Sequence, residues 1–349
     1  MMKVTGIKCV DLRIEAEGYG VVNYNGSMPM RGPDGTEVNN HTLPKLRGYT
    51  NLTGRVKERT EDKDEYLYKK TPFEIDFKKN PMYVSQNCIR HHLFREEAND
   101  LHFLSKSGRE EGDEPKGKKK KGEKKERKDS SDAVRRFVRS LSGLLRGFVV
   151  PNASDARKTT FFISDFVDQL GNGNFEQFAN CGEKDSNSIF SKITFGETKY
   201  LATASVSIEN IQFLSLDTRL GGCSFKPKSV EDAIKLADEL TEFLNELCPD
   251  AEEKPEAKFG YYYRLGTIFP TPERGIMLND AAIDTLINAF IEKVSDLSFR
   301  QAKGWLQTTK VEVDYNSSKK IFRVKDDPTL ICETRTEPYA KYFAPCEEE

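Results

Sequence analysis

The apolar and polar residues of this chain follow two periods. Alternation with a period of two predicts strands, and apolar positions three or four residues apart predict amphipathic helices. The predicted strands are Ile7–Ala16, Phe148–Val150, Thr159–Ile163, Tyr200–Leu216, Phe259–Phe269, Trp305–Asp314 and Ile321–Val324, the last two joined through Asn316. The predicted helices are Ser131–Arg146 with Gly147 as its C-cap, Asp165–Leu170, Ser229–Cys248 and Asp280–Leu297. This order predicts an α+β fold in which helices cover one face of an antiparallel sheet and leave the other face open.

The segment Pro81–Arg95 joins a short strand pattern to the start of a further helix. Ser85 suits the N-cap, because its hydroxyl can accept a hydrogen bond from a free amide of the first turn. The apolar stripe of this helix consists of Ile89, Leu93 and Phe94, and its other face carries Gln86, Asn87, Arg90, His91 and Arg95. A helix N-terminus attracts phosphate, so the segment is a candidate site for a nucleic-acid backbone. The alternative is an ordinary amphipathic helix with a solvated basic face.

Three segments interrupt the alternation and predict insertions into a single domain that spans residues 1–349. In residues 23–80, Lys45 and Arg47 lie next to a glycine and an aromatic residue, a mixture that suits backbone contact and stacking; a plain surface loop is the alternative. Residues 105–130 are rich in lysine and predict a disordered loop that either binds polyanions weakly or is simply solvated. Residues 171–199 disperse aromatic residues among glycine, asparagine and serine, which favours a projecting functional loop without regular elements.

Composition narrows the class of protein further. The net charge is -2, so any nucleic-acid site must come from local segregation of charge. No apolar run approaches the length of a membrane span, and the N-terminus lacks the pattern of a signal peptide. The 7 cysteines are scattered and form no Cys-x-x-Cys motif. We therefore expect a cytoplasmic protein with reduced thiols and no membrane partner.

The sequence offers little support for catalysis. It contains no Gly-Lys-Ser/Thr and no Gly-x-Ser-x-Gly motif. Cys88, His91, His92 and Glu96 are within helical reach of one another, but no second cluster with zinc-type spacing follows. Asp250 and the stretch Glu256–Lys258 faintly resemble a nuclease carboxylate set. We predict no catalytic residue, no metal and no cofactor, and we keep a metal-dependent nuclease of a defence system as an alternative.

Several longer motifs occur in order over almost the whole chain. They are His41–Gly54, Pro81–Arg95, Gly143–Pro151, Asp165–Phe178, Ser191–Tyr200, Gly266–Asp280 and Arg300–Asn316. In this order they resemble the Cas-seven family, the backbone subunit of type I CRISPR Cascade complexes, and most closely its compact type I-F variant. More distant members share a Ser-Gln followed four residues later by a basic residue, here Ser85, Gln86 and Arg90. The lysine-rich residues 105–130 have no matching counterpart.

The resemblance implies a fold and a function. The family fold is a ferredoxin-like palm, similar to an RNA-recognition domain, with a thumb and finger-like insertions. Copies line up head to tail along a guide CRISPR RNA and present it for pairing with a target DNA strand. The implied partners also include the subunit that binds the 5′ handle, the repeat-processing endoribonuclease and a helicase-nuclease that is recruited later. The subunit itself is implied to be non-catalytic. A generic single-stranded nucleic-acid binding protein remains a further alternative.

The resemblance also implies a set of RNA-binding residues. Those expected to contact phosphate and ribose are Ser85, Gln86, Asn87, Arg90, His91 and Arg95, with Lys45 and Arg47 approaching from the first insertion. Arg300, Gln301 and Lys303 are expected to close the groove. The thumb is either Asn187–Lys199, with Lys192, Lys199 and the wedge Phe190 or Phe195, or Asn23–Thr50. Arg146 is expected to be structural.

Overall fold

Helices and mainly antiparallel strands are mixed along the chain. The computed structural model describes residues 4–31, 37–47, 55–59, 64–68, 76–97, 131–150, 155–172, 174–179, 190–217, 227, 229–268, 271–301, 304–318 and 330–347. The strands are β1 (Cys9–Tyr19), β2 (Tyr24–Arg31), β3 (Glu37–Pro44), β4 (Arg55–Arg59), β5 (Asp64–Tyr68), β6 (Tyr83–Val84), β7 (Phe148–Val150), β8 (Asp155–Arg157), β9 (Phe161–Ile163), β10 (Phe166–Asp168), β11 (Asn174–Ala179), β12 (Phe190–Phe195), β13 (Glu197–Ser207), β14 (Phe213–Ser215), β15 (Ala257–Arg264), β16 (Pro272–Leu278), β17 (Ser298–Gln301), β18 (Gly304–Asn316) and β19 (Phe343–Cys346). The helices are α1 (Gln86–Leu93), α2 (Ser131–Val138), α3 (Ile208–Gln212), α4 (Val230–Leu247) and α5 (Asp280–Ser295), with a π-helical turn at Ser142–Arg146.

The main sheet has the order β17-β18-β1-β13-β10-β6, with β9 also paired to β13. All of its pairings are antiparallel. Along β1, Val10, Leu12 and Ile14 are fully buried, whereas Arg13 and Glu17 are exposed. Because successive side chains of a strand point to opposite faces, one face of this sheet forms the core. The other face is open around Arg13 and Glu17, whereas Asp11 and its partner Asp314 on that face are buried. The predicted antiparallel sheet is therefore confirmed, and its second face is open over part of its length.

Helix α5 lies at the centre of the core. Its fully buried side chains are Ile283, Leu286, Ile287, Phe290 and Val294. It contacts β18 of the main sheet and β16 of a second, four-stranded sheet with the order β14-β16-β15-β19, while α4 contacts β15. The predicted helices Ser229–Cys248 and Asp280–Leu297 are confirmed, with ends shifted by one or two residues. Ser229 caps α4 by accepting a hydrogen bond from the Asp232 N–H.

Two predicted elements are interrupted in the structure. The predicted helix Ser131–Arg146 ends its α-helical part at Val138 and continues as the π-helical turn. Gly147 does end this segment, with φ +79 and its N–H donating to the Ser142 carbonyl. The predicted strand Tyr200–Leu216 is broken by α3, because the Ser207 hydroxyl accepts from the Asn210 N–H and starts a helical turn there.

Two further predictions are wrong in the type of element. The predicted helix Asp165–Leu170 is the strand β10, which pairs with β13 and β6. Residues 171–199 are not free of regular structure, because β11 and β12 pair there as an antiparallel hairpin. Both errors arise because cross-strand hydrogen bonds outweigh local sequence pattern. The predicted strand Ile321–Val324 and the lysine-rich residues 105–130 lie outside the described residues.

Candidate nucleic-acid interface

The stretch Lys45–Arg47 lies directly beside the segment that leads into α1. The Arg47 N–H donates to the Pro81 carbonyl over 3.0 Å, and the Tyr83 N–H donates to the Lys45 carbonyl over 3.0 Å. Between them, Leu46 is fully buried and forms a bridge with Met82. The buried leucine anchors the stretch and leaves the two cations on either side of it near the start of α1.

The side chains of both cations meet residues at the start of the helix. Lys45 Nζ lies 3.4 Å from Ser85 Oγ. The Arg47 guanidinium lies over the Tyr83 ring, 5.6 Å from its centroid. Ser85 occupies the N-cap position, as the sequence predicts, but its hydroxyl makes no capping hydrogen bond. That part of the prediction is wrong, since the hydroxyl is in contact with Lys45 instead.

Asp165 is a central residue of this site that the sequence did not reveal. Its Oδ1 accepts from the Gln86 N–H over 2.9 Å, and its Oδ2 lies 3.2 Å from Arg47 Nη2. A carboxylate at a helix N-terminus is favoured by the partial positive charge there, so Asp165 supplies the cap that Ser85 does not. Asp165 and Gln86 are 79 residues apart, and no local pattern connects them.

A second contact forms along the side of α1. Gln301 Oε1 lies 2.7 Å from His92 Nε2 and 3.6 Å from Cys88 Sγ. The His92 ring stacks on Phe299, with centroids 3.8 Å apart. Burial lowers the pKa of His92. The hydrogen bond that Gln301 Oε1 accepts from the ring raises it, and the charges of His91 and Arg95 lower it. Strand β17 therefore lies against α1, and a contact of Gln301 with RNA stays a prediction.

Arg90 turns toward the protein interior. Its Nη2 donates to the Arg146 carbonyl over 3.1 Å, and its guanidinium lies 5.3 Å from the centroid of the Phe161 ring. Burial and then the charge of Arg146 lower the pKa of Arg90. Together with Arg157, whose pKa burial lowers to about 10, these arginines line a cavity of about 280 Å³. Arg90 and Arg157 stabilise carbonyls at the end of the π-helical turn.

The remaining predicted residues fall into three groups. The exposed polar side of α1 and the turn after it carries Gln86, Asn87, His91 and Arg95. On the open face of the main sheet are Lys199, whose Nζ lies 3.3 Å from Glu15, and the exposed Arg300. Lys192 and Phe195 belong to β12, opposite Gln177 and Asn174, and Lys303 lies outside the described residues. The structure thus brings Lys45, Arg47, Ser85 and Gln86 together. Tyr83, beneath Arg47, is on the same sheet face as Lys199, because Tyr83 pairs with Val167 and Val167 with Leu201. Arg300 lies on β17, at the opposite edge of the sheet.

Other kinds of site find little support in the described part of the chain. Within it, no three His, Cys, Asp or Glu side chains are grouped so that they could hold a metal ion. Asp250 and Glu256, the weak nuclease candidates, are both exposed. In the same residues, none of the helices has the length and apolar character required to span a bilayer.

Comparison with known proteins gives the family. The family model described as type I-Fv CRISPR-associated protein Cas7fv-like matches residues 6–345, so the chain belongs to the Cas7fv-like family. It is thus a Cas7-like subunit of a type I CRISPR surveillance complex, as the resemblance predicted. Among curated proteins, none matches this chain.

One solved structure bears a weak overall likeness. It is described as a CRISPR RNA-guided surveillance complex, pre-nicking, and its matching chain is 10% identical with a TM-score of 0.25. The match covers 75% of this chain and 80% of that chain. At this TM-score the likeness carries no argument about fold or site.

Proposed function

We propose that this protein is a non-catalytic backbone subunit that binds a guide CRISPR RNA in the cytoplasm without reading its sequence. Copies assemble head to tail along the spacer, and the bound guide is presented for pairing with a target DNA strand. Its protein partners are further copies of itself, the subunit that binds the 5′ handle, the repeat-processing endoribonuclease and, later, a helicase-nuclease. Family membership supports this role, since residues 6–345 match the Cas7fv-like family.

In this proposal the main sheet and its helices act as a ferredoxin-like palm. The hairpin of β11 and β12 is the thumb, because it is an antiparallel pair that leads directly into β13 and contains the basic Lys192 and the apolar Phe195. An apolar residue at such a position can wedge between bases, while the cation contacts phosphate. The proposed role needs cations, amides and wedges, and it needs no catalytic constellation.

The observation that carries the proposal is the convergence of Lys45 and Arg47 on the start of α1. Two cations lie beside the N-terminus of α1, where the N–H groups of the first turn favour anions. Arg47 is about half exposed, with 49% of its side chain accessible. Its partner Asp165 has the same chemistry as a phosphate oxygen, an anionic acceptor bonded to an amide and an arginine. A phosphate that approaches this site finds donors already oriented toward an anion.

The test is RNA affinity as a function of salt. The variant with Lys45→Glu and Arg47→Glu should bind guide RNA and unrelated RNA more weakly by a similar factor. The slope of log affinity against log salt should decrease by about 0.7 for each lost phosphate contact. Lys235→Glu, which changes an exposed cation on α4, is the matched control and should leave both quantities unchanged. Equal affinity of the double variant and the native protein would exclude these residues from the site.

The RNA that copurifies with the protein from its host separates the rival functions. Repeat–spacer RNA of one length class supports the guide-binding role, whereas a random RNA population supports a generic single-strand binder. Magnesium-dependent cleavage that is lost in Asp250→Asn would support the nuclease. Sequencing of the bound RNA distinguishes the first two outcomes, and a cleavage assay on the same preparation tests the third.

A further inference from the structure

Four neighbouring strands of the main sheet place one residue each in a row on the open face. Arg300 of β17 lies opposite Trp305 of β18, Trp305 opposite Tyr19 of β1, and Tyr19 opposite Glu197 of β13. Residues directly opposite each other in antiparallel strands have side chains on the same face. All four residues are exposed, with 42% of Trp305 and 40% of Tyr19 accessible. The row therefore presents two adjacent aromatic side chains, with an arginine on one side.

The two aromatic rings have room for a partner. Between described residues, no ring contact and no cation–ring contact involves Tyr19 or Trp305. The backbone beneath them is fixed, because a Cβ added at Gly304 would lie 2.6 Å from the Tyr19 carbonyl and one at Gly18 would lie 2.4 Å from the Trp305 carbonyl. Such close approach of two strands requires glycine. The ring-bearing residues thus stand on rigid backbone.

Their surroundings on the same face are mainly charged. Lys199 pairs with Glu15, and Arg13 lies 3.9 Å from Glu312. Single exposed aromatic residues are common and need no explanation. Two aromatic residues side by side, beside an arginine and within a charged surface, form a more specific arrangement. Glu197 lies opposite Tyr19 at the other end of the row, so the arrangement suits an aromatic ring whose negatively charged group lies on the side of Arg300.

We propose that Trp305, Tyr19 and Arg300 form a stacking platform for an unpaired base of single-stranded nucleic acid. Every base has a ring face that can stack on tryptophan or tyrosine, and arginine can contact the adjoining phosphate. The platform lies on the sheet face opposite the buried core against which α1 packs.

Tyr83, which lies beneath Arg47, is on this same face through the pairs Tyr83–Val167, Val167–Leu201 and Leu201–Glu15. Three strand spacings, roughly 14 Å, separate β6 from β1. The platform is therefore a second contact by its distance across the sheet from the backbone site at Lys45 and Arg47, and it goes beyond the proposed function.

Trp305 is the only tryptophan of the sequence, so tryptophan fluorescence reports on this residue alone. Full-length protein freed of nucleic acid is titrated with a ten-nucleotide oligothymidylate, and tryptophan fluorescence is recorded. A second titration uses an abasic strand with the same number of phosphates. Stacking predicts strong quenching by the oligothymidylate and little quenching by the abasic strand. Equal quenching by both strands would overturn the platform. Absence of quenching by either strand would also overturn it, whether or not anisotropy shows that the strands bind.

Variants separate stacking from general electrostatic attraction. Trp305→Ala should weaken binding of a labelled oligothymidylate by about tenfold, while Trp305→Phe should keep most of the affinity because a ring remains. Phe162→Ala is the control: Phe162 is an exposed aromatic residue opposite Ser205 of β13, on the same face but eight residues from Glu197, roughly 27 Å away. It should bind like the native protein. Equal losses in Trp305→Ala and Phe162→Ala would contradict the proposal.

The same assay distinguishes failure of this platform from failure of the backbone site. The variant with Lys45→Glu and Arg47→Glu should still show quenching of Trp305 at saturating oligothymidylate. Loss of guide RNA affinity in that variant with retained quenching supports two separate sites. Loss of quenching in that variant, at concentrations where anisotropy shows full binding, would overturn the independence of the platform.

Discussion

The two faces of β1 contribute differently to stability and to binding. On one face Val10, Leu12 and Ile14 are fully buried, and burial of that size supplies most of the stability of a fold. On the other face Arg13 and Glu15 form exposed or half-exposed ion pairs with Glu312 and Lys199, and such pairs contribute little. The difference teaches that the packed face stabilises the structure, whereas the exposed part of the other face, from Arg13 to Tyr19, can change for binding at little cost in stability.

Adjacent residues of β1 offer the largest test of this contrast. Ile14→Ala removes fully buried methyl groups and should lower the free energy of unfolding by about 2–5 kcal/mol. Arg13→Ala, one residue earlier on the open face, should change it by less than about 1 kcal/mol. Urea denaturation of both variants measures the two values. A similar loss in both would mean that the open face is also packed.

Two glycines with the same φ sharpen the comparison. Gly147 and Gly266 both have φ +79, but a Cβ at Gly147 would lie 2.3 Å from the Arg157 carbonyl, whereas one at Gly266 meets nothing within 4 Å. Both alanine variants carry backbone strain of about 1–2 kcal/mol. Gly147→Ala should lose more than Gly266→Ala because it adds the steric clash. Thermal unfolding checks the difference, and equal losses would show that backbone strain alone matters.

Asp165 connects stability with binding. Asp165→Asn weakens the cap of α1 and releases Arg47, so it should cost about 1 kcal/mol of stability while it strengthens RNA binding. Glu17→Gln, which also removes one exposed negative charge, is the control for general electrostatics. The expected result is a larger gain in RNA affinity for Asp165→Asn, measured by anisotropy at fixed salt. A gain no larger than that of the control would mean that Asp165 does not compete with phosphate.

The smallest predicted effect depends on pH. The pKa of His92 in the folded protein is lowered from 6.5, first by burial, so the unfolded chain binds this proton more tightly. The contribution of His92 to stability is complete above about pH 6.5 and decreases as the pH falls toward the folded pKa. His92→Phe, which can still stack on Phe299, should reduce the loss of melting temperature between pH 7 and pH 5. A loss of melting temperature in His92→Phe equal to that of the native protein would exclude His92 as a source of the pH dependence.

Local features of the sequence predicted the two long helices well. Helices α4 and α5 carry apolar residues at helical spacing, and the predicted helix Ser229–Cys248 begins at the residue that caps α4 in the structure. Lys45 and Arg47 lie beside the first helix, and their contact with RNA stays a prediction. The strand β10 and the hairpin of β11 and β12 were not predicted, because their hydrogen bonds are made across the chain and leave no regular period in a short segment.

The sequence by itself determined the family, the amphipathic helices, the alternation of β1 and the type of residue at the start of α1. Only the tertiary structure decided which partners those residues have. Asp165 reaches Gln86 and Arg47, Gln301 reaches His92, and Trp305 lies beside Tyr19, each through strand order and register. The physical reason is that periodicity and capping depend on neighbours a few residues away, whereas strand pairing joins residues whose separation along the chain has no fixed value.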